Sequence, residues 1–374
     1  MGSIDFLSLL IFVLALGAMI FLHEFGHFLA ARFFKIEVEE FGFGLPSYKI
    51  ATLFRWQGTD FTLHALPLGG FVRPKGENDP NVPGGLAAAS PWKRIVVLLA
   101  GPFMNLVTAA VIFGLIAALQ GVPTTGPVSL AEISPDSPAL QAGLQPKDVI
   151  VSINGKAVTQ NSDVSTVIYD NLDKPLNMVI ERGGQTVNVT LTPLSSRYKA
   201  GQGPIGILMS DPPTRPATIV EVVSDGVVMT GLQAGTLIYL PIALIQGAIA
   251  PGEARLSGLK GIFDIINVAV KKDVSTRQAA EPVPSGTPTP HPTNYALYFI
   301  AALSVSLGVI NLFPVPALDG GRILFTLPEI LFHRRIPMEF ENMVNGVAML
   351  LLIGFMIFIN VMDFINPAVP PSLP

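Results

Sequence analysis

Two histidines and a glutamate stand in the stretch His23-Glu24-Phe25-Gly26-His27, at the end of a long apolar run. On a helix, residues four apart lie on one face about one turn from each other, so His23 and His27 can direct two imidazole nitrogens at one metal ion. Glu24 lies about 100° around the helix from His23, close enough to touch a ligand of that ion without being one. This is the H-E-x-x-H pattern of zinc hydrolases, in which the carboxylate is the general base.

The same three residues also have a purely structural interpretation. An isolated H-E-x-x-H match occurs by chance in soluble chains, and a single histidine in a membrane can simply hydrogen-bond a neighbouring helix. However, the preceding run from Ile4 to Leu22 is long enough to cross a bilayer as a helix. Ionisable groups at membrane depth are costly without partners, so three of them together in apolar surroundings favour a functional site.

Asp319 is the candidate for a further ligand, because catalytic zinc sites commonly use three protein ligands and a water. It follows a stretch in which Pro314 and Pro316 must end or kink a helix that starts near Tyr295. We expect this helix and the first one to run from outside to inside, so that Asp319 reaches the depth of the histidines. Irregular backbone at that depth is tolerated only where it is buried or lines a wet cavity.

Two alternatives to Asp319 as the third ligand stay open. His64, in the region between the first two apolar runs, is a competing ligand. Asp319 is also interpretable as a turn residue before Gly320-Gly321, which accounts for the glycines but not for the position of a carboxylate directly after a membrane helix.

The composition is that of a membrane protein with a water-soluble part. Half of the 374 residues are hydrophobic, 13% are charged and the mean hydropathy is +0.53. A net charge of −4 gives no support for nucleic-acid binding. The absence of cysteine excludes disulfides and zinc–thiolate sites, and it leaves histidine, aspartate and glutamate as the metal ligands.

Four apolar segments are expected to cross the membrane: the first run, then Ile95–Leu119, Tyr295–Leu312 and Val344–Ile365. The first run has no basic n-region and no small-residue cleavage site, so we expect it to be retained rather than removed as a signal peptide. The region 32–94 holds eight lysines and arginines and is therefore placed in the cytoplasm, with the N-terminus outside. Its strand-like stretches, broken by glycine and proline, predict one or two β-hairpins.

A further uncharged stretch, 226–250, is long enough to span, and a span there would change the side of every later element. Pro241 and scattered polar residues weaken that interpretation. We interpret this stretch and the amphipathic segment that follows as interfacial or partly inserted helices on the outer side. The proline-rich stretch 281–293 is expected to be a disordered linker.

The composition changes to that of a soluble, β-rich domain near residue 124, and Gly183-Gly184 is a plausible hairpin turn in it. Topology places this domain outside the membrane. The predicted organisation is a first part of the membrane core at 1–123, the β-rich domain at 124–195, a connector at 196–293 and a second part of the membrane core at 294–374.

The chemistry expected of such a site is metal-assisted hydrolysis of a peptide bond. Zinc lowers the pKa of a water and polarises a carbonyl, while Glu24 accepts the proton and passes it to the leaving amine. A peptide bond in a membrane helix is hidden by its own hydrogen bonds, so the substrate must unwind locally. The stretch 311–316 and the hairpins before Gly70 are candidates to hold the unwound segment by β-addition. Replacing Asn311 is then expected to weaken substrate processing without loss of zinc.

Two motifs together carry a resemblance to a known family. HEFGH in the first apolar run and NLFPVPALDGG after the third resemble the two signatures of the site-2 protease family of intramembrane zinc metalloproteases. LHALPLGGFVRPKGEND, SPWKRIVVLLAGPFMN and ARLSGLKGIF are similar to segments of its bacterial regulator-of-sigma-E protease branch. The region after Gly126 looks like the extracytoplasmic PDZ domain of that branch, and the resemblance covers most of the chain.

The resemblance implies a fold and a location. The fold is a polytopic α-helical membrane protein with about four transmembrane helices, membrane-associated β-hairpins and an inserted extracytoplasmic PDZ-like β-rich domain. The location is the lipid bilayer of the bacterial inner (cytoplasmic) membrane, with the N-terminus and the PDZ-like domain outside and the active site towards the cytoplasm.

The resemblance also implies roles for single residues. It implies one Zn²⁺ per chain, held by His23, His27 and Asp319, with Glu24 as the catalytic base. It implies that residues 311–316 shape the substrate site and that the glycines of FGFG lie in a membrane-associated β-hairpin. Asn105 is a further candidate, although an interhelical hydrogen bond is the more general role of a membrane asparagine. The candidate substrate-binding residues are Asn311, Pro314, Pro316, Gly42, Gly44 and Asn105.

The implied substrates are single-span membrane proteins, such as an anti-sigma factor already trimmed by another protease, or remnant signal peptides. The PDZ-like domain is then expected to be a size filter, and the alternative is a plain peptide-binding or spacer module. The best-known members carry two PDZ domains, whereas here one is clear and the stretch 200–225 is too short for a second.

Two other classes of function fit part of the pattern. One is a membrane scaffold or sorting receptor with a degenerate metal site, against which the intact Glu24 argues. The other is a transporter that uses His23, Glu24 and Asp319 as a proton relay, which needs no stoichiometric zinc.

Overall fold

The computed structural model describes residues 3–44, 46–66, 69–195, 203–210, 214–247, 256–279 and 294–366. The predicted linker at 281–293 lies outside these residues. The chain forms two compact units, one dominated by long helices and one by β-strands.

The helical unit opens with α1, Ser3–Phe33, which continues without a break through the H-E-x-x-H stretch. A four-stranded sheet follows, in the order β2-β3-β1-β4, so that β4 is an edge strand. In this sheet β1 is parallel to β3 and antiparallel to β4. The strands are β1 (Val38–Phe43), β2 (Lys49–Trp56), β3 (Thr59–His64) and β4 (Gly70–Pro74).

The second long helix, α2, spans Pro91–Gln120 and passes through Gly101-Pro102 without ending there. Proline is tolerated inside a membrane helix when neighbouring helices re-satisfy the backbone. Here α2 packs closely against α1, since a side chain at Gly26 of α1 would collide with the carbonyl group of Ala100.

The β-rich unit has alternating buried side chains along its strands, as expected for a sheet with one face on a core. Leu176, Met178 and Ile180 are all at most 1% exposed. Its larger sheet has the order β10-β9-β7-β6-β11, with β8 paired to β7, and β5 pairs with β12. The elements are β5 (Val122–Pro123), β6 (Val128–Ile133), α3 (Pro138–Gln141), β7 (Val149–Ile153), β8 (Lys156–Ala157), α4 (Asn161–Asp170), β9 (Leu176–Arg182), β10 (Gln185–Leu191), β11 (Ile207–Met209) and β12 (Thr214–Arg215).

This unit extends beyond its predicted end at residue 195. Strand β11 pairs with β6, with Ile207 opposite Ile133. Residues near 207 therefore complete the one β-rich domain, which gives a physical reason why the stretch 200–225 is too short to form a second.

The helical unit resumes with α5, Ile219–Ile245, and α6, Leu259–Ala279. Five helices in the described ranges are long and apolar enough to cross a membrane: α1, α2, α5, Tyr295–Leu312 and Met338–Ile365. The sequence predicts about four, and α5 is the additional one. It forms an unbroken helix through Pro241, the residue that weakens the sequence evidence for a span.

The last part of the chain contains α7 (Tyr295–Leu312), α8 (Asp319–Phe332) and α9 (Met338–Ile365). Helix α7 ends before Pro314, as predicted, and α8 starts at Asp319. Gly320 and Gly321 allow α8 to fold tightly against the end of α7 and the following loop, because a Cβ at either position would collide with a backbone carbonyl there.

Helices α1 and α7 start at the same end of this unit. Lys271 of α6 pairs with Asp5 at the start of α1, at 2.9 Å. Two residues later, Asp273 accepts a hydrogen bond from the N–H of Tyr295, the first residue of α7, at 2.8 Å. The two helices therefore run in parallel, and this brings their far ends, with His23 and Asp319, to the same level.

Candidate metal centre

The side chains of His23, His27 and Asp319 converge on one point. The two Nε2 atoms of the histidines are 3.2 Å apart. The Oδ2 atom of Asp319 is 3.2 Å from Nε2 of His23 and 3.5 Å from Nε2 of His27. Three potential ligand atoms, two nitrogens and one oxygen, thus form a nearly equilateral triangle.

The triangle fits a tetrahedral zinc ion. Zinc–nitrogen and zinc–oxygen bonds are about 2.0–2.2 Å long, which makes the edge of a tetrahedron about 3.3–3.6 Å. The observed separations of 3.2–3.5 Å match that edge. Within the described structure, Oδ2 of Asp319 is buried and receives no hydrogen bond. A buried carboxylate oxygen without a donor, facing two imidazoles, is the environment that a cation stabilises.

Each histidine has a partner for its other ring nitrogen. Nδ1 of His27 lies 2.7 Å from the carbonyl oxygen of Val97, so it carries the hydrogen and leaves Nε2 free to bind a metal. Nδ1 of His23 lies 3.0 Å from the amide of Asn105. If His23 binds a metal through Nε2, Nδ1 must donate, and the oxygen of the Asn105 amide must face it.

The space for the imidazoles depends on a glycine in α2. A Cβ at Gly101 would collide with the ring of His27 and would lie 2.9 Å from Nε2 of His23. The backbone of α2 therefore passes directly over the two rings, and Gly101 is required for sterics rather than for backbone flexibility.

Glu24 lies beside the triangle and is held by the edge of the sheet. Its Oε2 accepts a hydrogen bond from the backbone N–H of Val72 in β4, at 3.1 Å. Both residues border a cavity of about 310 Å³ that also contains the three candidate ligands. A cavity of this size has room for about ten water molecules or a short extended peptide segment. Its other walls include Asn311, Glu77 and Arg322, the last two joined by an ion pair of 2.7 Å.

The structure separates the candidate substrate residues into two groups. Asn311 lines the cavity, and Asn105 contacts His23. Gly42 and Pro316 are not among the residues that line this cavity, and neither are Gly44 and Pro314. Gly42 lies in β1, one strand away from the sheet edge, where a Cβ would collide with the ring of Phe71. Pro316 borders a separate apolar cavity beside α9.

His64, the competing ligand, lies outside the cluster of His23, His27 and Asp319. Its Nε2 lies 3.2 Å from Oε1 of Glu40 and 3.1 Å from the hydroxyl of Thr62, inside the four-stranded sheet. Burial raises the pKa of Glu40, but hydrogen bonds from Thr62 and His64 and the charge of Arg73 outweigh it and hold that pKa below its usual value. His64 thus belongs to a buried polar network within the sheet.

Three features of the site are missing from the sequence prediction. Val72 holds Glu24 through its backbone N–H, a contact that the type of residue at position 72 does not indicate. Gly101 stands out in the sequence only as a helix interruption before Pro102. The Glu77–Arg322 pair joins residues far apart in the chain. Of these, only Gly101 carried a signal, because an isolated glycine in a helix pattern often has a packing reason.

Comparison with known proteins identifies related sequences along nearly the whole chain. The model of "Peptidase family M50" matches residues 11–355. A Campylobacter jejuni protein named "Putative zinc metalloprotease Cj1068" is 33% identical over 95% of this chain and 92% of its own length. "Metalloprotease MmpA" of Caulobacter vibrioides is 29% identical over 95% of each chain. Among solved structures, the PDZ domain of the SdrC-like protein from Listeria monocytogenes covers 24% of this chain and 90% of its own, with 21% identity and a TM-score of 0.21.

Proposed function

The chain belongs to peptidase family M50 and is a membrane zinc metalloprotease, and from this premise we propose that it cleaves single-span membrane proteins within or beside their membrane segments. Anti-sigma factors already trimmed by another protease and remnant signal peptides are the proposed substrates. The convergence of His23, His27 and Asp319 beside Glu24 carries this proposal, because three potential zinc ligands and a carboxylate that border one cavity suit a zinc-dependent hydrolytic site.

The proposed ligands are His23, His27 and Asp319, which leave the fourth tetrahedral position for water or substrate. Zinc, when bound, lowers the pKa of a water and polarises the substrate carbonyl. Glu24 borders the same cavity, so its carboxylate can accept a proton from the attacking water and deliver it to the leaving amine. Asn105 and the carbonyl of Val97 hold the two imidazoles in the orientation that keeps both Nε2 atoms available.

The substrate is proposed to bind as an extended segment in the cavity. Asn311 and the edge strand β4, both of which border the cavity, supply polar groups to an unwound backbone. Strand addition to a sheet edge gives affinity through main-chain hydrogen bonds and is tolerant of sequence. This suits a protease that must accept membrane segments of different composition.

We propose four complete membrane crossings, by α1, α2, α7 and α9, with the site towards the cytoplasm. Because α1 and α7 run in parallel, the chain must cross an odd number of times between them. Helix α2 supplies one crossing, so a full crossing by α5 would require another by α6. Lys271, Lys272 and Asp273 make that costly.

The packing of α5 supports an oblique, partly inserted position. Gly226 of α5 lies against Ala110 of α2, and Gln233 donates a hydrogen bond to the hydroxyl of Tyr298 in α7 at 2.6 Å. Tyr298 also packs on Phe113 of α2, with ring centroids 5.5 Å apart, so both contacts lie near one level of the membrane. Yet the two α5 residues are about 10 Å apart along their own helix. These contacts are compatible with a proposed α5 that lies at an angle to α2 and α7.

The β-rich domain is proposed to be a PDZ-like module on the extracytoplasmic side, which follows from its place after α2 in this topology. As a size filter it would exclude substrates whose soluble part has not been trimmed. The alternative of a peptide-binding or spacer module predicts that substrate length outside the membrane has no effect on cleavage.

The decisive experiment is incubation of the detergent-solubilised protein with tagged single-span proteins, with and without a zinc chelator. The Glu24→Gln variant is expected to keep about one zinc per chain and to lose at least about 100-fold in cleavage rate, since it removes a general base. A scaffold would keep its activity in this variant. A proton relay would hold no stoichiometric zinc, and metal analysis of the purified protein distinguishes it.

A further inference from the structure

Strand β4 presents one row of backbone groups to β1 and the other row to the cavity. The N–H of Gly44 donates to the carbonyl of Gly69 at 2.9 Å, which fixes the phase of the β1–β4 ladder. Hydrogen-bonded and non-hydrogen-bonded pairs alternate along an antiparallel ladder. Further along β4, Gly70 and Val72 are therefore residues whose N–H and C=O groups point away from β1.

These outward groups line the free edge where a substrate strand would pair. Val72 borders the cavity, and a Cβ at Gly70 would lie 3.5 Å from Cγ of Glu24, so this edge runs beside the proposed base. Pro74 follows and has no N–H, which leaves Val72 as the last outward donor of the strand.

The outward N–H of Val72 is already occupied by Glu24. Its hydrogen bond to Oε2 measures 3.1 Å. A backbone N–H has one hydrogen, so a substrate carbonyl that pairs at this position needs the same donor that holds the carboxylate. Strand pairing and the Val72–Glu24 bond are therefore mutually exclusive.

We propose that an extended substrate segment displaces Glu24 from the N–H of Val72 when it pairs with β4, so that docking releases the catalytic base. Without a substrate strand, the edge of the sheet holds the carboxylate. With one, the Val72 N–H donates to the substrate backbone, and Glu24 is free to turn towards the attacking water. The inference rests on the proposed peptidase function and adds a coupling between substrate binding and base availability.

A binding comparison between two inactive variants tests this coupling without catalysis. In Glu24→Gln the side-chain oxygen can still accept the Val72 N–H, whereas Glu24→Ala has no competing acceptor. The probe is a fluorescein-labelled peptide of ten alternating valines and threonines, measured by polarisation with the purified full-length protein. We expect Glu24→Ala to bind it about fivefold more tightly than Glu24→Gln, the equivalent of one net hydrogen bond of about 1 kcal/mol.

A peptide methylated on alternate backbone nitrogens is the matched control, because it cannot pair with a strand edge. Equal affinity of the two variants for the unmodified peptide overturns the inference, and so does an equal gain for both peptides, which would reflect only the space left by alanine. Should Val72 serve instead to hold Glu24 in its catalytic position, the two variants would bind the probe equally.

A second comparison places the same two substitutions on a Val72→Pro background. Proline removes the outward N–H without removing a bond to β1, and it is tolerated on the open side of edge strands. The affinity difference between the glutamate variants is expected to vanish, and its persistence contradicts the inference. The first comparison needs no backbone change and stands even if this variant does not fold.

Zinc content and cleavage by the unsubstituted protein separate this inference from the proposed function. If the protein holds zinc and cleaves single-span proteins while the variants bind the peptide equally, only the coupling fails. If the unsubstituted protein holds no zinc and cleaves nothing, the proposed peptidase function fails, and the coupling inference fails with that function.

Discussion

Two aspartates, one in each unit, differ in the groups that surround their buried carboxylate oxygens. Asp148 in the β-rich unit is 1% exposed and fully paired. Arg182 donates to both of its oxygens at 2.7 Å, and the N–H of Gln145 donates at 2.8 Å. Asp319 in the helical unit is also largely buried, but its Oδ2 faces two imidazole nitrogens and accepts no hydrogen bond from the described residues.

The difference lies in which groups surround the carboxylate. Asp148 already has a cation and donors for its lone pairs, so nothing further is needed and its role is to stabilise the fold. Asp319 shares its surroundings with two other electron-pair donors, an arrangement that is repulsive until a positive charge joins it. A cluster of potential metal ligands that receives no hydrogen bond thus points to a bound metal ion. A carboxylate whose oxygens are already paired with an arginine does not.

Replacing each aspartate by asparagine is the test of this comparison with the largest expected effect. Asp319→Asn is expected to weaken zinc binding by more than about 100-fold, since even changes to residues that only orient a ligand cost about 10–100-fold. Asp148→Asn is expected to retain the zinc. Metal analysis of the two purified variants checks this, and equal zinc content would remove the basis for assigning Asp319 as a ligand.

Gly101→Ala tests whether the space above the imidazoles is as tight as the structure indicates. The added methyl group overpacks the rings of His23 and His27. Overpacking costs about 1–3 kcal/mol, which corresponds to about 5–150-fold in zinc affinity. Gly346→Ala is the matched control, because no atom of the described residues lies within 4 Å of a Cβ there. Zinc titration should show a loss in the first variant and none in the second.

Asn105→Ala tests how much the orientation of the His23 ring contributes to zinc affinity, which we expect to be a smaller effect. It removes the group that contacts Nδ1 of His23 while leaving all three proposed ligands in place. We expect zinc affinity to fall about tenfold, the lower end of the range for residues that orient a ligand. Unchanged affinity would mean that Asn105 is only an interhelical contact, the role general to membrane asparagines.

The pairing of Asp148 with Arg182 predicts that Asp148 stabilises the β-rich unit and that this contribution depends on pH. Burial raises the pKa of Asp148, but the hydrogen bonds from Arg182 and Gln145, with the charge of Arg182, outweigh it and lower that pKa below its usual value. A carboxylate with a lowered pKa stabilises the fold above its unfolded pKa of about 4 and loses that contribution as the pH falls through the folded value.

Hydrogen exchange of the full-length protein measures this contribution. Strands β6, β7 and β9 should exchange faster in Asp148→Asn by about tenfold or more, since hydrogen bonds to a charged group contribute about 1.5–3 kcal/mol. The acid-induced rise in exchange below about pH 4, the unfolded pKa of an aspartate, should be smaller in the variant. An identical pH profile in both proteins would show that Asp148 does not contribute in this way.

Much of the helical unit was predictable because lipid permits few structures. A long apolar run must form a helix to satisfy its own backbone, so α1, α2, α7 and α9 follow from hydropathy, and the prolines at 314 and 316 end α7 where expected. The number of apolar helices was not predictable in the same way. Helix α5 is as apolar as a span, and it is its contacts with α2 and α7, such as those with Ala110 and Tyr298, that bear on its course.

The strand pattern was harder to derive from the sequence. The hairpin of β2 and β3 follows from its alternation and its glycine, but the parallel pairing of β1 with β3 and the edge position of β4 are long-range choices. Gly42 and Gly44 resembled substrate-site residues in sequence. In the structure, Gly42 makes room for Phe71 and Gly44 adopts a φ of +101°, which a side chain rarely allows.

The sequence by itself determined the two histidines and the glutamate on one helix, because local spacing alone decides which side chains share a helical face. It also made Asp319 a candidate ligand, since a carboxylate directly after a proline-broken membrane helix is costly at that depth unless it has a partner. Only the tertiary structure decided that Oδ2 of Asp319 lies within 3.5 Å of both imidazoles, that Gly101 admits their rings and that the N–H of Val72 holds Glu24. Those relations join segments up to almost 300 residues apart in the chain. They also depend on a backbone N–H and on the space above a glycine, which the identity of a residue does not reveal.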